Sequence, residues 1–159
     1  MKLVFKLLLL TLFSSFLVFG GEGKAVDLER RSTKIWTEYV YLGQTNGIRG
    51  RAMTGFTISG LNDYRVHVIG RGWLPAVKYS DVNNDEEGYA GTYAGDPIDA
   101  IAISGGEQYR VHLKDGDWLP WVDGYNINDS RNGYAGILGS EIDLIQCEGA
   151  RLYATAFNV

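Results

Sequence analysis

Apolar and polar residues alternate in several short stretches of this chain, which predicts β-strands. The clearest stretches are Tyr64–Val68 and Tyr109–Leu113, in which every second residue is apolar. A period of two is typical of a strand that buries one of its faces. The same alternation occurs at 56–58, 101–103 and 145–147. With 21 Gly and 3 Pro in 159 residues, the composition favours short strands joined by tight turns and therefore an all-β fold.

The segments between the predicted strands are of two kinds. Short links that contain Gly, such as 104–107, predict hairpins between neighbouring strands. Two longer stretches rich in Asn and Asp, 80–87 and 125–132, predict exposed loops.

Much of the sequence repeats after about 45 residues, which indicates a duplicated unit. Twelve identical pairs lie 45 residues apart: Tyr64-Arg-Val-His67 with Tyr109-Arg-Val-His112, Trp73-Leu-Pro75 with Trp118-Leu-Pro120, Val77 with Val122, and Gly88-Tyr-Ala-Gly91 with Gly133-Tyr-Ala-Gly136. Three further pairs lie 44 residues apart: Ile98, Asp99 and Ile101 with Ile142, Asp143 and Ile145.

A third copy is divided between the two ends of the chain. Trp36 and Val40 repeat the spacing of Trp73 and Val77, and the sequence of 46–50 resembles that of 132–136. Near the other end, 149–153 aligns with 105–109. We therefore expect the strand that starts at Tyr153 to pair near the N-terminal strand and to close a ring of three units, which removes exposed sheet edges.

Two closed architectures take three units of this size, the β-prism and the β-trefoil. The stretch Gly88-Tyr-Ala-Gly91, followed by Ile98-Asp-Ala-Ile-Ala-Ile103, resembles the ends of repeats in jacalin-like lectins, which are β-prisms. The order of the Trp, Gly-Tyr and Asp-Ala-Ile motifs is also similar to that in the vitelline membrane outer layer protein, another prism. The pseudo-threefold β-prism is the favoured prediction, with the β-trefoil as the alternative.

The N-terminus has the pattern of a secretory signal peptide over residues 1–20. Lys2 and Lys6 precede an apolar run at 7–19. This run is shorter than the roughly 20 residues needed to span a bilayer. Residues 21–34 are predicted to be a flexible arm, or a pro-segment cut at Arg30-Arg31, and 35–159 the single three-repeat domain. We expect a secreted, extracellular protein with no membrane anchor.

The charge of the chain excludes some partners. The formal net charge is −4, and removal of residues 1–20 takes away Lys2 and Lys6 and no acidic residue, which lowers it to −6. A nucleic-acid partner requires a basic face that displaces counterions, so we expect no nucleic-acid binding. Attraction to anionic membranes is disfavoured for the same reason.

The order of the repeated motifs resembles the ChW-type repeat, a hydrophobic repeat with a Gly-Trp pair in clostridial and other secreted proteins. Gly72-Trp73 matches that pair, whereas the second copy has Asp117-Trp118. The resemblance covers about 36–159. It implies an accessory module that attaches to extracellular polymer and has no catalytic activity.

Two equivalent polar patches are candidate binding residues. Arg65 and His67 share one strand face, and Arg110 and His112 share the corresponding face in the second copy. The alternative is that each His forms a structural hydrogen bond, for instance to Asp99 or Asp143. Those carboxylates lie between buried positions and need a partner, because a bare buried charge is costly.

Aromatic residues are the second set of candidates, because their rings can stack on sugars. Trp36, Trp73 and Trp118 are equivalent, so they fit a core position as well as a contact surface. Trp121 has Ala76 and Tyr39 as counterparts, which favours an exposed contact. Tyr89, Tyr125 and Tyr134 flank the predicted loops and complete the candidate ligand-binding set.

Two further features carry alternatives. Asp81, Asn83 and Asp85 place oxygen ligands at every second residue, as calcium loops do, but the twelve-residue calcium pattern is incomplete. A solvated loop is the favoured interpretation, calcium is the alternative, and no cofactor is expected. Cys147, the single cysteine, fits either a buried strand residue or a bridge between chains.

The sequence contains no catalytic constellation that we recognise, so we expect no enzyme. The leading hypothesis is a lectin-like module that binds an extracellular or cell-wall polysaccharide, or a glycoprotein, through loops at one end of the threefold. A structural coat protein is the alternative, and a small wall-polymer hydrolase is a weaker one.

Overall fold

The computed structural model of the chain describes residues 34–41, 43–60, 63–149 and 152–159. Within these residues the chain forms strands and no helix, which confirms the all-β class. The strands are β1 (Lys34–Trp36), β2 (Val40–Tyr41), β3 (Thr45–Gly47), β4 (Met53–Ile58), β5 (Tyr64–Val68), β6 (Gly72–Trp73), β7 (Ala90–Gly91), β8 (Ile98–Ile103), β9 (Tyr109–Leu113), β10 (Ala135–Gly136), β11 (Ile142–Cys147) and β12 (Leu152–Asn158). A helix able to cross a membrane is not found in this part of the chain. The predicted signal peptide and the predicted arm up to residue 33 lie outside the described residues.

The described strands form three antiparallel sheets. In the first sheet the order is β1-β12-β4-β7, and β2 also pairs with β12. The second sheet has the order β10-β8-β5-β6, and the third has β3-β11-β9. A bridge between His112 and Trp118 extends the third sheet where β6 extends the second. Each sheet therefore has one long central pair of strands with short strands or bridges beside it.

The two ends of the described domain meet in the first sheet. Trp36 is paired with Ala156 and Val40 with Tyr153, so β12 lies between N-terminal strands on one side and β4 on the other. The predicted pairing of the terminal strands is thus observed. β1 begins at Lys34, one residue before the predicted start of the domain. Within the described residues each of the three sheets is open.

The predicted hairpin at 104–107 is wrong. β8 and β9 flank this link, but β8 pairs with β5 in the second sheet and β9 pairs with β11 in the third. The link carries the chain from one sheet to the next. Gly105 and Gly106 have φ angles of 105° and 77°, and this left-handed backbone lets the chain turn away from the sheet it has just left.

The predicted alignment of 46–50 with 132–136 is also wrong, by three residues. Gly47 is opposite Leu144 in β11, as Gly136 is opposite Ala100 in β8, so Gly47 rather than Gly50 is the counterpart of Gly136. A Cβ on Gly47 or on Gly136 would lie 2.1 Å from a carbonyl oxygen of the neighbouring strand. The close approach of two backbones fixes this register, and the sequence similarity of the two segments does not.

The core takes the inward residues of all three sheets. Tyr64, Tyr109 and Tyr153 occupy equivalent places and are at most 1% exposed. Cys147 is buried opposite Tyr109, just as Ile103 lies opposite Tyr64, which agrees with the interpretation of Cys147 as a buried strand residue. Successive side chains of a strand point to opposite faces, so the apolar residues of β5 are buried while Arg65 and His67 point outward.

Candidate functional site

Each predicted polar patch contains a His–Asp pair held by a β-bulge. Nδ1 of His67 lies 2.6 Å from Oδ1 of Asp99, and Nδ1 of His112 lies 2.7 Å from Oδ1 of Asp143. The strand register shifts at Asp99 and at Asp143, which turns each carboxylate towards the imidazole on the neighbouring strand. The structural alternative, a hydrogen bond from His to Asp, is therefore confirmed in both copies.

The second oxygen of each carboxylate binds a backbone amide. The Gly139 amide donates to Oδ2 of Asp99 at 2.7 Å, and the Gly50 amide donates to Oδ2 of Asp143 at 2.6 Å. Each Asp thus joins its own strand, the strand of its His partner and a turn from another part of the chain. Charge-assisted hydrogen bonds of this kind satisfy a carboxylate that is almost completely buried.

The hydrogen bonds of His112 fix its tautomer. Nη1 of Arg49 lies 3.1 Å from Nε2 of His112, and a guanidinium can only donate. Nε2 must therefore accept, and Nδ1 carries the proton that is donated to Asp143. Both ring nitrogens of His112 are engaged, so this imidazole has no nitrogen left for a ligand. His67 has Leu138 where Arg49 would be, and it is more exposed than His112.

The hydroxyl groups of Tyr64 and Tyr109 anchor the segments that follow their strands, and that of Tyr153 donates to the Gln44 and Ile145 carbonyls. Tyr64 donates to the Tyr79 carbonyl at 2.5 Å, and Tyr109 donates to the Gly124 carbonyl at 2.6 Å. Burial raises the pKa of Tyr64 to about 12 and also raises the pKa of Tyr109 and of Tyr153. All three phenols are therefore held neutral as hydrogen-bond donors.

Two long loops cover the outer faces of the first and second sheets. Ser80, at the start of one loop, accepts a hydrogen bond from Thr57 of the first sheet, and Tyr89 at its end packs edge-on against Trp36. From the other loop, Tyr125 packs against the buried cluster of Ala100, Ala102 and Tyr134 on the second sheet, as Trp73 does. Ile127 and Tyr134 lie in the same cluster over Ala100 and Ala102.

Among the described residues the third sheet has no such cover, because its loop is shorter. Val77 and Tyr89 lie twelve positions apart, and so do their counterparts Val122 and Tyr134. In the third copy Val40 and Thr45 lie only five positions apart. Thr45 pairs with β11 and is the counterpart of Tyr134 in the second copy. The third copy thus lacks seven loop residues and the covering Tyr, and Thr45 is exposed.

The uncovered face carries a cluster of one Arg, two Trp and one Gln. The guanidinium carbon of Arg110 lies 4.5 Å from the ring centre of Trp118 and 4.5 Å from that of Trp121. Nε and Nη2 of Arg110 donate to Oε1 of Gln146 at 3.0 and 2.8 Å, which holds the guanidinium in place. All four side chains are partly exposed. We call these four residues the Arg–Trp cluster.

The equivalent position in the second sheet is different. Arg65 lies 5.7 Å from the Trp73 ring, and Ala76 stands where the third sheet has Trp121. Burial raises the pKa of Tyr125, the charge of Asp63 raises it further, and the charge of Arg65 lowers it to a smaller extent. This patch is therefore enclosed by its own loop.

The predicted aromatic candidates separate into two groups. Trp121 and Tyr125 are partly exposed, whereas Tyr89 and Tyr134 are buried at 2% and 8% exposure. The prediction that these last two residues add to a loop surface does not agree with their burial, because both rings pack inward on a Trp of the sheet below. The structure brings Arg110 and Trp121 together and keeps Arg65 and His67 on another sheet.

Asp81, one of the predicted calcium ligands, bonds within the loop, and so does Asn84. Oδ1 of Asp81 accepts the Asn83 amide at 2.9 Å, and Oδ1 of Asn84 accepts the Glu86 amide at 3.1 Å. In the second loop Asn126 and Asp129 make the same two bonds. Such Asx turns explain why both loops are rich in Asn and Asp. Among the described residues no group of three or more His, Cys, Asp or Glu is placed to hold a metal.

The ligand-binding set predicted from the sequence lacks two residues of the Arg–Trp cluster, Trp118 and Gln146. Trp118 was grouped with the equivalent Trp36 and Trp73, both of which are covered in the structure. The informative signal is the spacing between the repeated Val of each copy and the next paired strand, because the short spacing after Val40 exposes the third sheet.

Comparisons of this chain with protein-family models, with curated proteins and with solved structures found no match.

Proposed function

We propose that this chain is a secreted, non-catalytic module that binds extracellular or cell-wall carbohydrate, either a polysaccharide or a glycoprotein glycan. The proposed site is the Arg–Trp cluster on the uncovered face of the third sheet. The observation that carries the proposal is the stacking of Arg110 between two partly exposed Trp rings where the first and second sheets have a covering loop.

The chemistry of the cluster suits a sugar. A pyranose ring presents apolar C–H faces, which pack on indole rings, and hydroxyl groups around its edge, which need hydrogen-bond partners. Among the described residues no acceptor contacts Nη1 of Arg110, so this nitrogen can donate to a ligand. Because Trp118, Trp121 and Gln146 already fix the guanidinium, binding would cost little side-chain entropy.

The finer architecture that we propose is a pseudo-threefold β-prism. In support, β4, β8 and β11 are each paired with one long strand and one short strand. The resemblance to ChW-type repeats supports the same function, since it implies attachment to extracellular polymer.

Retention on polysaccharides tests the proposal. Residues 34–159 and the variants Trp121→Ala and Tyr39→Ala are passed over a panel of immobilised wall and matrix polymers. Tyr39 is the matched control, because it is an exposed aromatic residue at the equivalent position of the first sheet. W121A is expected to weaken binding about tenfold, the effect of losing roughly 1.4 kcal/mol of contact energy, and Y39A to leave binding unchanged.

Failure of the native chain to bind any polymer, or equal weakening by W121A and Y39A, would contradict this site. Assembly of the purified chain into stable polymers without a ligand would instead favour a structural coat protein.

A further inference from the structure

The loop over the second sheet has one side that contacts the protein and one that faces solvent. Tyr125 and Ile127 pack towards the sheet, whereas Asn126, Asn128 and Ser130 are exposed. This alternation is set by the turn bonds at Asn126 and Asp129 and by the two inward apolar side chains. The outward direction of Asn128 is therefore fixed by the fold.

The exposed side of this loop contains an acceptor sequence for N-linked glycans. Asn128-Asp129-Ser130 matches the triplet Asn-x-Ser/Thr with a residue other than Pro in the middle, and it is the one such triplet in the 159-residue sequence. The backbone amide of Asn128 is bonded to Asn126, but the turn does not use the carboxamide of Asn128 in any hydrogen bond among the described residues.

We propose that Asn128 is N-glycosylated when the chain passes through a secretory pathway that contains an oligosaccharyltransferase. This inference rests on the proposed secretion but not on carbohydrate binding. The donor is an oligosaccharide linked to a lipid diphosphate. The bond between the sugar C1 and the diphosphate oxygen breaks, and C1 bonds to Nδ2 of Asn128. The amide proton goes to a base of the transferase, and the lipid diphosphate leaves.

The fold can carry this glycan without a change of structure. Asn128 is exposed, and its neighbours Asn126 and Asp129 keep the turn through their own side chains. The loop lies on the second sheet, whereas the Arg–Trp cluster lies on the third. A glycan at Asn128 is therefore expected to leave polymer retention unchanged.

The first loop supplies a matched control. Asn83 occupies the place of Asn128, with the same amide bond to a side-chain oxygen two residues earlier and similar exposure. It has Asp85 where the second loop has Ser130, so its triplet is incomplete. Asp85→Ser completes the triplet at the same place in an equivalent turn.

The test is secretion of the full chain from a eukaryotic cell line, once with its own leader and once with a leader of the host. The proteins are native, N128Q, S130A, S130T and the double variant N128Q/D85S. Treatment with a peptide N-glycanase and mass spectrometry of the peptides then report on each site.

The native chain and S130T are expected to carry a glycan at Asn128, N128Q and S130A to carry none, and N128Q/D85S to carry one at Asn83. A secreted native chain without a glycan, or S130A with one, would overturn the inference. A chain that is glycosylated with the host leader but retained in the cell with its own would refute the proposed secretion and leave the glycan site standing.

Discussion

At the scale of single residues, the two His–Asp pairs connect neighbouring strands and a turn through hydrogen bonds. Asp99 and Asp143 each bind an imidazole on one side and a glycine amide on the other. The first sheet shows what happens without them: Thr54 takes the place of the Asp, and its buried hydroxyl has no hydrogen-bond partner among the described residues. The pair is thus tied to stability in two sheets and has been replaced in the third copy.

Removal of a carboxylate from one of these pairs should be costly. Asp143→Ala leaves His112 and the Gly50 amide without their shared acceptor, and we expect unfolding free energy to fall by about 3 kcal/mol. Thr54→Val, at the equivalent place, removes only an unsatisfied hydroxyl and should leave stability unchanged or raise it by about 1 kcal/mol. Urea denaturation measures the unfolding free energy of both variants. Similar losses of unfolding free energy in the two would contradict the stabilising role of Asp143.

The buried Tyr residues predict a loss of stability at alkaline pH. The pKa of Tyr64 is raised from 10.0 to about 12 by burial. Above pH 10 the unfolded chain releases this phenolic proton while the folded chain still holds it, so the folded state is disfavoured. The contribution is complete below pH 10 and is lost as the pH rises to about 12.

Urea midpoints measured from pH 8 to pH 12 test this prediction. They should fall steadily above pH 10, and Tyr64→Phe, which has no proton to lose, should show a smaller fall over the same range. A urea midpoint of the native chain that stays constant up to pH 12 would contradict the claim that the buried phenols are held neutral.

At the scale of elements, the alternation of residues predicted the strands well and their partners poorly. Burial of one face gives a period of two wherever a strand pairs, so β5 and β9 were visible in the sequence. The link at 104–107 looked like a hairpin because its composition is the same whether the chain returns to one sheet or crosses to the next. Register was likewise hidden, since it depends on the contact between Gly47 and the backbone of β11.

Three glycines in the short strands β3, β7 and β10 should be irreplaceable for that reason, namely Gly47, Gly91 and Gly136. Gly136 has a φ of 141°, and a Cβ would lie 2.1 Å from the Asp99 carbonyl oxygen, so Gly136→Ala is expected to cost at least about 3 kcal/mol. Gly106 also has positive φ, at 77°, but has no atom within 4 Å of its Cβ position, and Gly106→Ala should cost about 1 kcal/mol. Thermal denaturation measures the stability of both variants. Equal losses of stability would show that the positive φ, and not the close approach of the backbones, makes Gly136 irreplaceable.

At the scale of the whole molecule, the domain depends on its last strand. β12 pairs with β1 and β2 on one side and with β4 on the other, so it is a central strand although it ends the sequence. The split of the third copy predicted this pairing from sequence alone. The uncovered face was not predicted, because it arises from residues that the third copy lacks rather than from residues that it has.

Hydrogen exchange of the native chain tests the place of β12. Amides of 153–157 should exchange as slowly as those of β8, which lies between two strands of the second sheet. Exchange as fast as that of a fraying terminus would contradict the pairing of the chain ends.

The most direct test of the binding face uses the four Trp indole N–H signals in a ¹H–¹⁵N spectrum. The chain is titrated with a soluble fragment of the polymer that retains it best. The signals of Trp118 and Trp121 are predicted to shift, while those of Trp36 and Trp73, which lie under covering loops, stay in place. Shifts confined to Trp36 or Trp73, or no shift of any indole at saturation, would contradict the account.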